Sequence, residues 1–279
     1  MSLMSKLSAT ILISTSLFAA TNSEVETFLK QNLSRNPAVS SLNIKVLERS
    51  PLEGMKGWDS FIVSLEAKVK QGKEEREVKQ RVIYFANDKV ITADLTDIKT
   101  GKNLRDSVAP QFKAEYYKKA NLVYGNENAE HKVAIFSDPL CPFCRNYVPG
   151  ALEYMKQYPE KFAVYYYHFP LERLHPAAPA LVRAAVAAEL QGRKDVLLAL
   201  YKVPTTISRE KDESKIVDAF NKVLNTSLKV SDLHAPAVEE HMASDEAIIQ
   251  NLMVSGTPTV YFDGEKDPGK NRYKGVKVK

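Results

Sequence analysis

The stretch Phe136-Ser137-Asp138-Pro139-Leu140-Cys141-Pro142-Phe143-Cys144 decides the fold of this chain. It ends an apolar run, breaks at a proline and delivers two cysteines with the spacing C-x-x-C. Because the 279 residues hold 2 cysteines in all, any thiol chemistry must take place here. This spacing is typical of redox pairs and of metal sites, so the surrounding residues must decide between the two.

The context of the cysteine pair favours redox chemistry. The segment 133–136 predicts a short strand, the residues after Cys141 predict a helix up to Tyr158, and 162–169 predicts a second strand. In such a β-α-β unit, a C-x-x-C pair indicates a thioredoxin-like redox site. A zinc site would need two further ligands at a plausible spacing. The histidines of this chain are scattered, so we expect no metal.

The two cysteines have different predicted roles. Only a thiolate attacks a disulfide, and the unpaired N–H groups and positive dipole end at a helix start favour that anion. Cys141 would occupy this position, because Pro142 helps to start the helix. Cys144, about one turn later, would be more enclosed and act as the resolving thiol. Pro142 stiffens the ring that a Cys141–Cys144 disulfide would close, and Phe143 adds bulk without charge. Both residues are therefore expected to tune the redox properties of the pair.

Other polar residues near the pair receive structural interpretations. Asp138 lies three residues before Cys141, and we interpret it as a cap of the helix. His168 and His175 lie at a strand end and a helix start. We expect them to satisfy backbone groups or to pack, and not to catalyse.

The second half of the chain, 127–279, also contains a block of helices. The block spans about 172–254, with helices predicted over 175–201, 212–224 and 237–253. The chain then returns to a strand at 259–262, directly after Thr257-Pro258. This order predicts an α/β domain with a helical insertion.

The first half, 24–105, predicts an α+β domain. Residues 25–33 carry apolar side chains at helical spacing, which predicts a short helix. In the segment 58–69, apolar and polar side chains alternate with period two, which indicates an antiparallel sheet with one solvent-exposed face. Further strands are predicted over 42–47, 77–85 and 89–95. No nucleophile or glycine-rich loop occurs, so we expect a structural, partner-binding or dimerising role. Residues 106–126 predict a linker helix that Pro110 could open.

The N-terminus, 1–23, predicts a secretory signal peptide. Lys6 precedes a run of apolar or small residues that turns polar at Thr21, and this run is too short for a membrane span. An amphipathic helix of the fold is the alternative. Export would place the cysteines in an oxidising compartment, the periplasm, where the pair can exist as a disulfide.

Composition is ordinary for a globular protein of two domains. The chain is 44% hydrophobic and 26% charged, with a formal net charge of +5. Its lysines and arginines are mixed with acids, which indicates solvated faces. Since no basic stripe with interleaved aromatics occurs, nucleic-acid binding is not expected.

Three motifs together resemble the exported Dsb thiol:disulfide interchange proteins. They are 136–144, His168-Phe169-Pro170-Leu171 followed by His175-Pro176, and Ser255-Gly256-Thr257-Pro258-Thr259. The resemblance implies that Thr257-Pro258 forms a cis-proline loop facing the cysteines, where an extended substrate chain adds to the backbone edge. An ordinary trans turn is the alternative. The first half resembles the cystatin-like dimerisation domain of the DsbC and DsbG branch.

The resemblance implies a periplasmic thiol:disulfide oxidoreductase with no cofactor beyond the redox-active pair Cys141–Cys144. We predict an isomerase or reductase with chaperone-like holding, which is homodimeric, acts on unfolded or misoxidised proteins and exchanges electrons with a membrane partner of the Dsb type. A DsbA-type dithiol oxidase is the alternative. In DsbA a histidine commonly stands where Phe143 stands here, so we expect a less oxidising pair. A non-enzymatic dimeric chaperone is the alternative from another class.

Overall fold

The computed structural model describes residues 19–72, 74–101 and 103–278 and divides into two compact units between Val108 and Ala109. The predicted signal peptide lies outside the described residues up to residue 18. The remaining residues of that segment belong to the first unit: Ala19 is buried, and the Ala20 N–H donates to the Asn87 carbonyl at 3.1 Å. The folded unit therefore begins before the predicted boundary at residue 24.

The first unit packs one helix on an antiparallel sheet, as predicted for an α+β domain. Helix α1 (Asn22–Leu33) begins with a capping box between Thr21 and Glu24. The strands β1 (Val39–Pro51), β2 (Asp59–Gln71), β3 (Glu74–Ala86) and β4 (Ile91–Thr92) follow in that spatial order. Val25 and Leu29 of α1 are buried in one core with Phe61 and Val63 of β2. The period-two pattern therefore places the apolar face of the sheet under the helix.

The predicted linker helix over 106–126 is wrong. Helix α2 (Arg105–Val108) ends before Pro110, and two 3₁₀ turns follow at Ala114–Tyr116 and Lys119–Asn121. Phe112 is in an extended segment, and its N–H donates to the Gly264 carbonyl at 3.2 Å. Its ring packs on Tyr117 with 4.5 Å between centroids. The aromatic residues of this segment are core residues of the second unit, so their helical spacing misled the prediction.

The second unit contains a mixed five-stranded sheet. It comprises β5 (Leu122–Tyr124), β6 (His131–Ser137), β7 (Phe162–His168), β8 (Thr259–Phe262) and β9 (Glu265–Lys266), in the spatial order β5-β7-β6-β8-β9. Strands β6 and β7 are parallel and are joined by helix α3 (Pro142–Lys156), whereas β8 runs antiparallel to β6. This is the predicted β-α-β unit, and it confirms the thioredoxin-like α/β fold.

The helical insertion is confirmed, with one difference. Its helices are α4 (Ala178–Leu190), α5 (Val196–Leu200), α6 (Glu213–Leu224), α7 (Val230–Leu233) and α8 (Pro236–Leu252). The helix predicted to continue to Tyr201 breaks after α4, because Gly192 has φ +83° and Asp195 has φ 58°. These left-handed residues end α4 and redirect the chain into α5.

The central strands are buried on both faces. One core contains Val133 and Ile135 of β6 together with α3 and the insertion helices. The other core contains Phe136 of β6 and Tyr167 of β7, which stack with 4.6 Å between ring centroids. Burial on both sides explains why these strands are continuous apolar runs, as in parallel sheets generally. It also leaves their carboxyl ends as the place where polar groups meet.

Candidate active site

Cys141 lies at the start of α3, directly after the loop that leaves β6. It is the N-cap residue of the helix, and Pro142 occupies the first helical position. Its carbonyl accepts the Arg145 N–H at 3.0 Å, and its own N–H donates to the Asp138 carbonyl at 3.2 Å. The sulfur therefore lies at the positive end of the helix dipole, where an anion is favoured. This is the position predicted for an attacking cysteine.

Cys144 lies one turn further along α3 and is fully buried. Burial raises the pKa of its thiol to about 11, although the Ser137 and Thr257 side chains act in the opposite direction. Both cysteines are free thiols in this structure. Cys141 is also buried, at 5% exposed, so Cys144 is the more enclosed of the two, as expected. The division into an attacking and a resolving cysteine stays a prediction.

The Thr257-Pro258 peptide is cis and lies against the cysteine pair. The Cys141 thiol donates to the Thr257 carbonyl with 3.8 Å between sulfur and oxygen. The sheet brings the two segments together, because Phe136 of β6 pairs with Thr259 of β8. The isomer implied by the resemblance is therefore confirmed, and the alternative of a trans turn is wrong.

Asp138 does not cap α3, contrary to the interpretation from sequence. Its buried carboxylate accepts the Leu140 N–H at 2.7 Å, the Leu171 N–H at 2.8 Å and a hydrogen bond from His175 Nδ1 at 2.9 Å. It thus joins the cysteine loop to the loop after β7. The structural role expected for His175 agrees with this contact.

His168 is buried at the end of β7, as expected for a packing residue. Its backbone N–H donates to the buried Asp245 carboxylate at 2.7 Å, and that carboxylate also accepts from the Asn121 side-chain amide at 2.7 Å. Burial lowers the pKa of the His168 ring to about 4. The ring is therefore neutral at physiological pH, and its Nδ1 has no hydrogen-bond partner among the described residues. The backbone of His168, not its ring, fastens Asp245 of α8 to the sheet.

Two large apolar side chains are exposed near the cysteine pair. Phe143, between the cysteines, is 74% exposed, and Leu174 is 58% exposed. Leu174 belongs to the loop that Asp138 holds, and its N–H donates to the Leu171 carbonyl at 2.8 Å. Exposed aromatic and aliphatic groups beside a reactive centre are typical of a surface that contacts a partner.

Sequence reasoning missed three buried hydroxyl groups at this site. Ser137 ends β6, Tyr166 lies on β7 and Tyr201 follows α5. The Ser137 and Tyr201 oxygens are 2.6 Å apart, and those of Tyr201 and Tyr166 are 2.8 Å apart. No local pattern marks Tyr201, which the insertion brings to the cysteines from some sixty positions away.

Within 19–72, 74–101 and 103–278, no group of three histidine, cysteine or carboxylate side chains could hold a metal ion. In the same ranges, no helix has the length and apolar content to cross a membrane.

Curated proteins similar to this chain include two antiporters. The Na(+)/H(+) antiporter NhaA 1 of Mycolicibacterium gilvum is 25% identical over 154 residues, which are 53% of this chain and 24% of that protein. The protein of the same name from Mycolicibacterium vanbaalenii is 23% identical over 153 residues, with the same shares. The chain thus spans about a quarter of the length of the curated relatives it matches.

Similar solved structures include a thioredoxin-like oxidoreductase from Silicibacter pomeroyi, with 24% identity, a TM-score of 0.45 and coverage of 57% of this chain and 91% of the other. The catalytic domain of Proteus mirabilis ScsC has 19% identity, a TM-score of 0.42 and coverage of 55% and 82%. Pseudomonas aeruginosa DsbA2 has 18% identity, a TM-score of 0.39 and coverage of 53% and 84%.

A family model described as Thioredoxin matches residues 118–278, which is more than half of the chain. The match contains the cysteine pair, the cis-proline loop and the helical insertion between them. It confirms the predicted resemblance to thioredoxin-fold thiol:disulfide interchange proteins, while the branch within the Dsb proteins stays a prediction. By the extent of this match and the fold that carries it, the chain belongs to the thioredoxin family.

Proposed function

We propose that this protein is a thiol:disulfide oxidoreductase acting on exported proteins. The observation that carries the proposal is the juxtaposition of Cys141, at the start of α3, with the cis peptide Thr257-Pro258. Cys141 attacks a substrate disulfide to form a mixed disulfide, and Cys144 resolves it. The pair is the whole redox apparatus, with no further cofactor.

The surroundings of Cys141 suit an extended polypeptide substrate. Pro258 has no N–H, so the backbone edge beside the cysteines is not sealed by an internal hydrogen bond from that residue. A substrate strand pairs with this edge through main-chain hydrogen bonds. The exposed side chains of Phe143 and Leu174 then contact apolar groups of an unfolded chain. Recognition of this kind is independent of a particular substrate sequence.

The test is reduction of insulin by dithiothreitol with the protein as catalyst. We expect catalysis by the wild type, and a loss of at least about a hundredfold for Cys141→Ser because the attacking sulfur is removed. Cys144→Ser is the matched variant: it should still form a mixed disulfide that accumulates as a trapped adduct. A wild type without catalysis, or a Cys141→Ser variant with full catalysis, would disprove the proposal.

We further propose the isomerase or reductase direction. Phe143 supplies no positive charge beside the pair, which supports a less oxidising potential than a histidine at this position would give. Refolding of a scrambled disulfide protein measures this activity directly. An oxidase of DsbA type would instead accumulate with Cys141 and Cys144 oxidised in living cells, which alkylation and gel mobility reveal.

The first unit is proposed to hold two copies of the chain together in the periplasm. Its long strand β1 lies at a sheet edge and has β2 as its one neighbour within the described sheet. Edges of this kind pair readily with a second chain. Sedimentation of the full chain should give twice the mass of one copy, and a monomer would exclude this assembly. A monomer should also hold unfolded substrates less well than a dimer.

We further propose that a membrane protein of the Dsb type reduces the Cys141–Cys144 pair after each turnover.

A non-enzymatic chaperone remains the candidate from another class, favoured by the exposed Phe143 and Leu174. Suppression of aggregation of an unfolded protein separates the two functions. If Cys141→Ser protects the substrate as well as the wild type does, and the wild type has no insulin reductase activity, the chaperone is the correct function.

A further inference from the structure

A buried carboxylate on α8 faces the end of the central strand β7. The Asp245 side chain is 0% exposed. It accepts two hydrogen bonds at 2.7 Å, one from the backbone N–H of His168 and one from the side-chain amide of Asn121. The same amide donates to the Tyr166 carbonyl at 2.9 Å. Asp245 thus fastens α8 both to β7 and to the segment that precedes β5.

Both of these donors are neutral, so they do not balance the charge of the carboxylate. Within the described residues, the partner of Asp245 that can carry a positive charge is His241, one turn earlier on α8. The His241 Nε2 lies 3.6 Å from Oδ2 of Asp245, and the His241 side chain is 11% exposed. The pair is therefore largely removed from water, and a buried charge that loses its partner destabilises the fold.

Other cationic groups that reach α8 have partners of their own. On α4, the Arg183 guanidinium is paired with Glu239. The Lys118 ammonium donates to the Ser244 hydroxyl at 3.0 Å. After α7, the His234 Nδ1 lies 3.5 Å from the Glu239 carboxylate. Among the described contacts, the positive charge that Asp245 needs thus comes from His241.

Three further titratable groups lie near the pair. The His168 ring is 6.0 Å from the His241 ring, centroid to centroid, and burial lowers its pKa to about 4, so it is uncharged near neutral pH. Tyr167 on β7 is a neutral phenol, because burial raises its pKa. On α4, burial raises the pKa of the Glu189 carboxyl to about 7. Of the three, only Glu189 therefore adds charge near the pair above neutral pH.

We propose that His241 and Asp245 form a protonation latch, which holds α8 on the central sheet while the imidazole carries a proton and loosens α8 when that proton is lost to water. Burial alone would lower the pKa of His241, but the carboxylates of Asp245 and Glu189 outweigh this effect and hold it above the usual value. A histidine with a raised folded pKa stabilises the fold below its unfolded pKa of about 6.5. That contribution is lost as the pH rises through the folded pKa. The latch is therefore closed in mildly acidic solution and opens toward alkaline pH.

The protonation latch acts on the helix that leads into the cis peptide. After α8 the chain turns at Met253, which has φ 55°, and continues to Thr257-Pro258. On the sheet, His168 pairs with Ser137, which directly precedes the cysteine loop. The latch thus joins the helix before the substrate-binding loop to the strand beside the cysteine loop. Its effect on catalysis rests on the proposed function, whereas the latch itself does not.

The test is hydrogen exchange of the reduced full chain from pH 6.5 to pH 9, expressed as protection factors so that the intrinsic pH dependence of exchange is removed. The amides of Ile248 and Ile249 report on α8, and those of Ala151 and Leu152 on α3. We expect protection in α8 to fall roughly three- to tenfold across this range, as for a charge pair that is partly desolvated. An equal fall in α3 would show that the whole unit opens and would overturn the inference.

Three variants separate the members of the cluster. His241→Gln removes the charge at a partly exposed position, so α8 should have low protection already at pH 6.5 and show no further fall. In Asp245→Asn, a nuclear magnetic resonance titration should give His241 a lower pKa than in the wild type, because the carboxylate that favours the imidazolium is gone. Glu189→Gln leaves the pair intact and should retain the fall in protection; its absence would show that Glu189, and not Asp245, governs α8.

The matched control is His234→Gln. His234 also pairs with carboxylates of the insertion, at 2.8 Å from Glu213 and 3.5 Å from Glu239, but its side chain is 48% exposed. Such solvated pairs contribute little, so protection in α8 should follow the wild-type profile. Constant protection in the wild type, a wild-type profile in His241→Gln, or the same loss in His234→Gln would overturn the inference. A wild type that shows the latch but fails to reduce insulin would instead overturn the proposed function.

Discussion

Removal of the Asp138 carboxylate should loosen the cysteine loop and destabilise the second unit. The carboxylate is fully buried and accepts three hydrogen bonds, from the N–H groups of Leu140 and Leu171 and from His175 Nδ1, at 2.7, 2.8 and 2.9 Å. Hydrogen bonds to a charged group each contribute about 1.5–3 kcal/mol. Their sum is an upper limit, because burial of the charge costs free energy.

A buried hydrogen-bonding group that loses its partner costs about 1–3 kcal/mol, and Asp138→Ala leaves three donors without their acceptor, so we expect the free energy of unfolding to fall by about 3–5 kcal/mol. Asp138→Asn keeps one acceptor oxygen but turns an NH₂ group toward a donor, so it should lose about 2–3 kcal/mol. The matched control is Asp212→Ala. Asp212 caps α6 and accepts one exposed N–H, from Ser214 at 3.0 Å, so its loss should cost about 1 kcal/mol.

The assay is urea unfolding followed by near-ultraviolet circular dichroism, which the tyrosine-rich core of the second unit dominates. Hydrogen exchange at the amides of Leu140 and Leu171 provides the local measurement, and exchange should accelerate in both Asp138 variants. If Asp138→Asn is no less stable than Asp212→Ala and its Leu171 amide exchanges at the wild-type rate, the carboxylate does not hold the two loops together. The reasoning from these three contacts would then be refuted.

Three further predictions concern separate parts of the second unit. Gly125→Ala should destabilise the protein by about 3 kcal/mol or more in urea unfolding, because its Cβ would lie 1.9 Å from the Phe162 carbonyl oxygen. The control Gly192→Ala has open space around its Cβ and should cost only about 1–2 kcal/mol. Equal costs for the two variants would contradict the steric argument. Burial lowers the pKa of His168 to about 4, from about 6.5 for an exposed histidine. Between these two pH values the unfolded state binds more protons than the folded state, so stability falls by about 3 kcal/mol as the pH falls through this window. His168→Gln should lose correspondingly less stability between pH 7 and pH 4 in urea unfolding, and an unchanged pH profile would contradict the prediction. Phe143→His should raise the reduction potential of the pair by roughly tens of millivolts in glutathione equilibration, because an imidazolium favours the adjacent thiolate. Since Phe143 is 74% exposed, the free energy of unfolding should change by less than about 0.5 kcal/mol. An unchanged or lowered potential would show that this position does not tune the pair.

Local sequence patterns were sufficient for the elements around the reactive pair and for the pair itself. The apolar run of β6, the prolines at 139 and 142 and the C-x-x-C spacing predict a strand, a loop and a helix with Cys141 at its start, and the structure has them. The period-two pattern of β2 likewise predicts its sheet. Such patterns succeed because the periodicity of a strand or a helix depends on residues that are close neighbours along the chain.

The linker shows where local patterns fail. Aromatic residues between 112 and 117 have helical spacing, but their rings pack on β-strands of the second unit, and burial of those rings outweighs helical propensity in this segment. The break after α4 is a further case, since a helix-ending glycine and a left-handed aspartate interrupt an otherwise continuous pattern. Both outcomes depend on packing that the segment itself does not contain.

The sequence by itself determined that this protein has one dithiol centre in a β-α-β unit, because two cysteines and their flanking periodicities are local facts. Only the tertiary structure decided what surrounds the centre. Asp138 binds a loop some thirty residues away, and Tyr201 reaches Ser137 across 64 positions. The physical reason is that hydrogen bonds select partners by distance in space, and the fold that sets these distances arises from the burial of apolar surface over the whole unit.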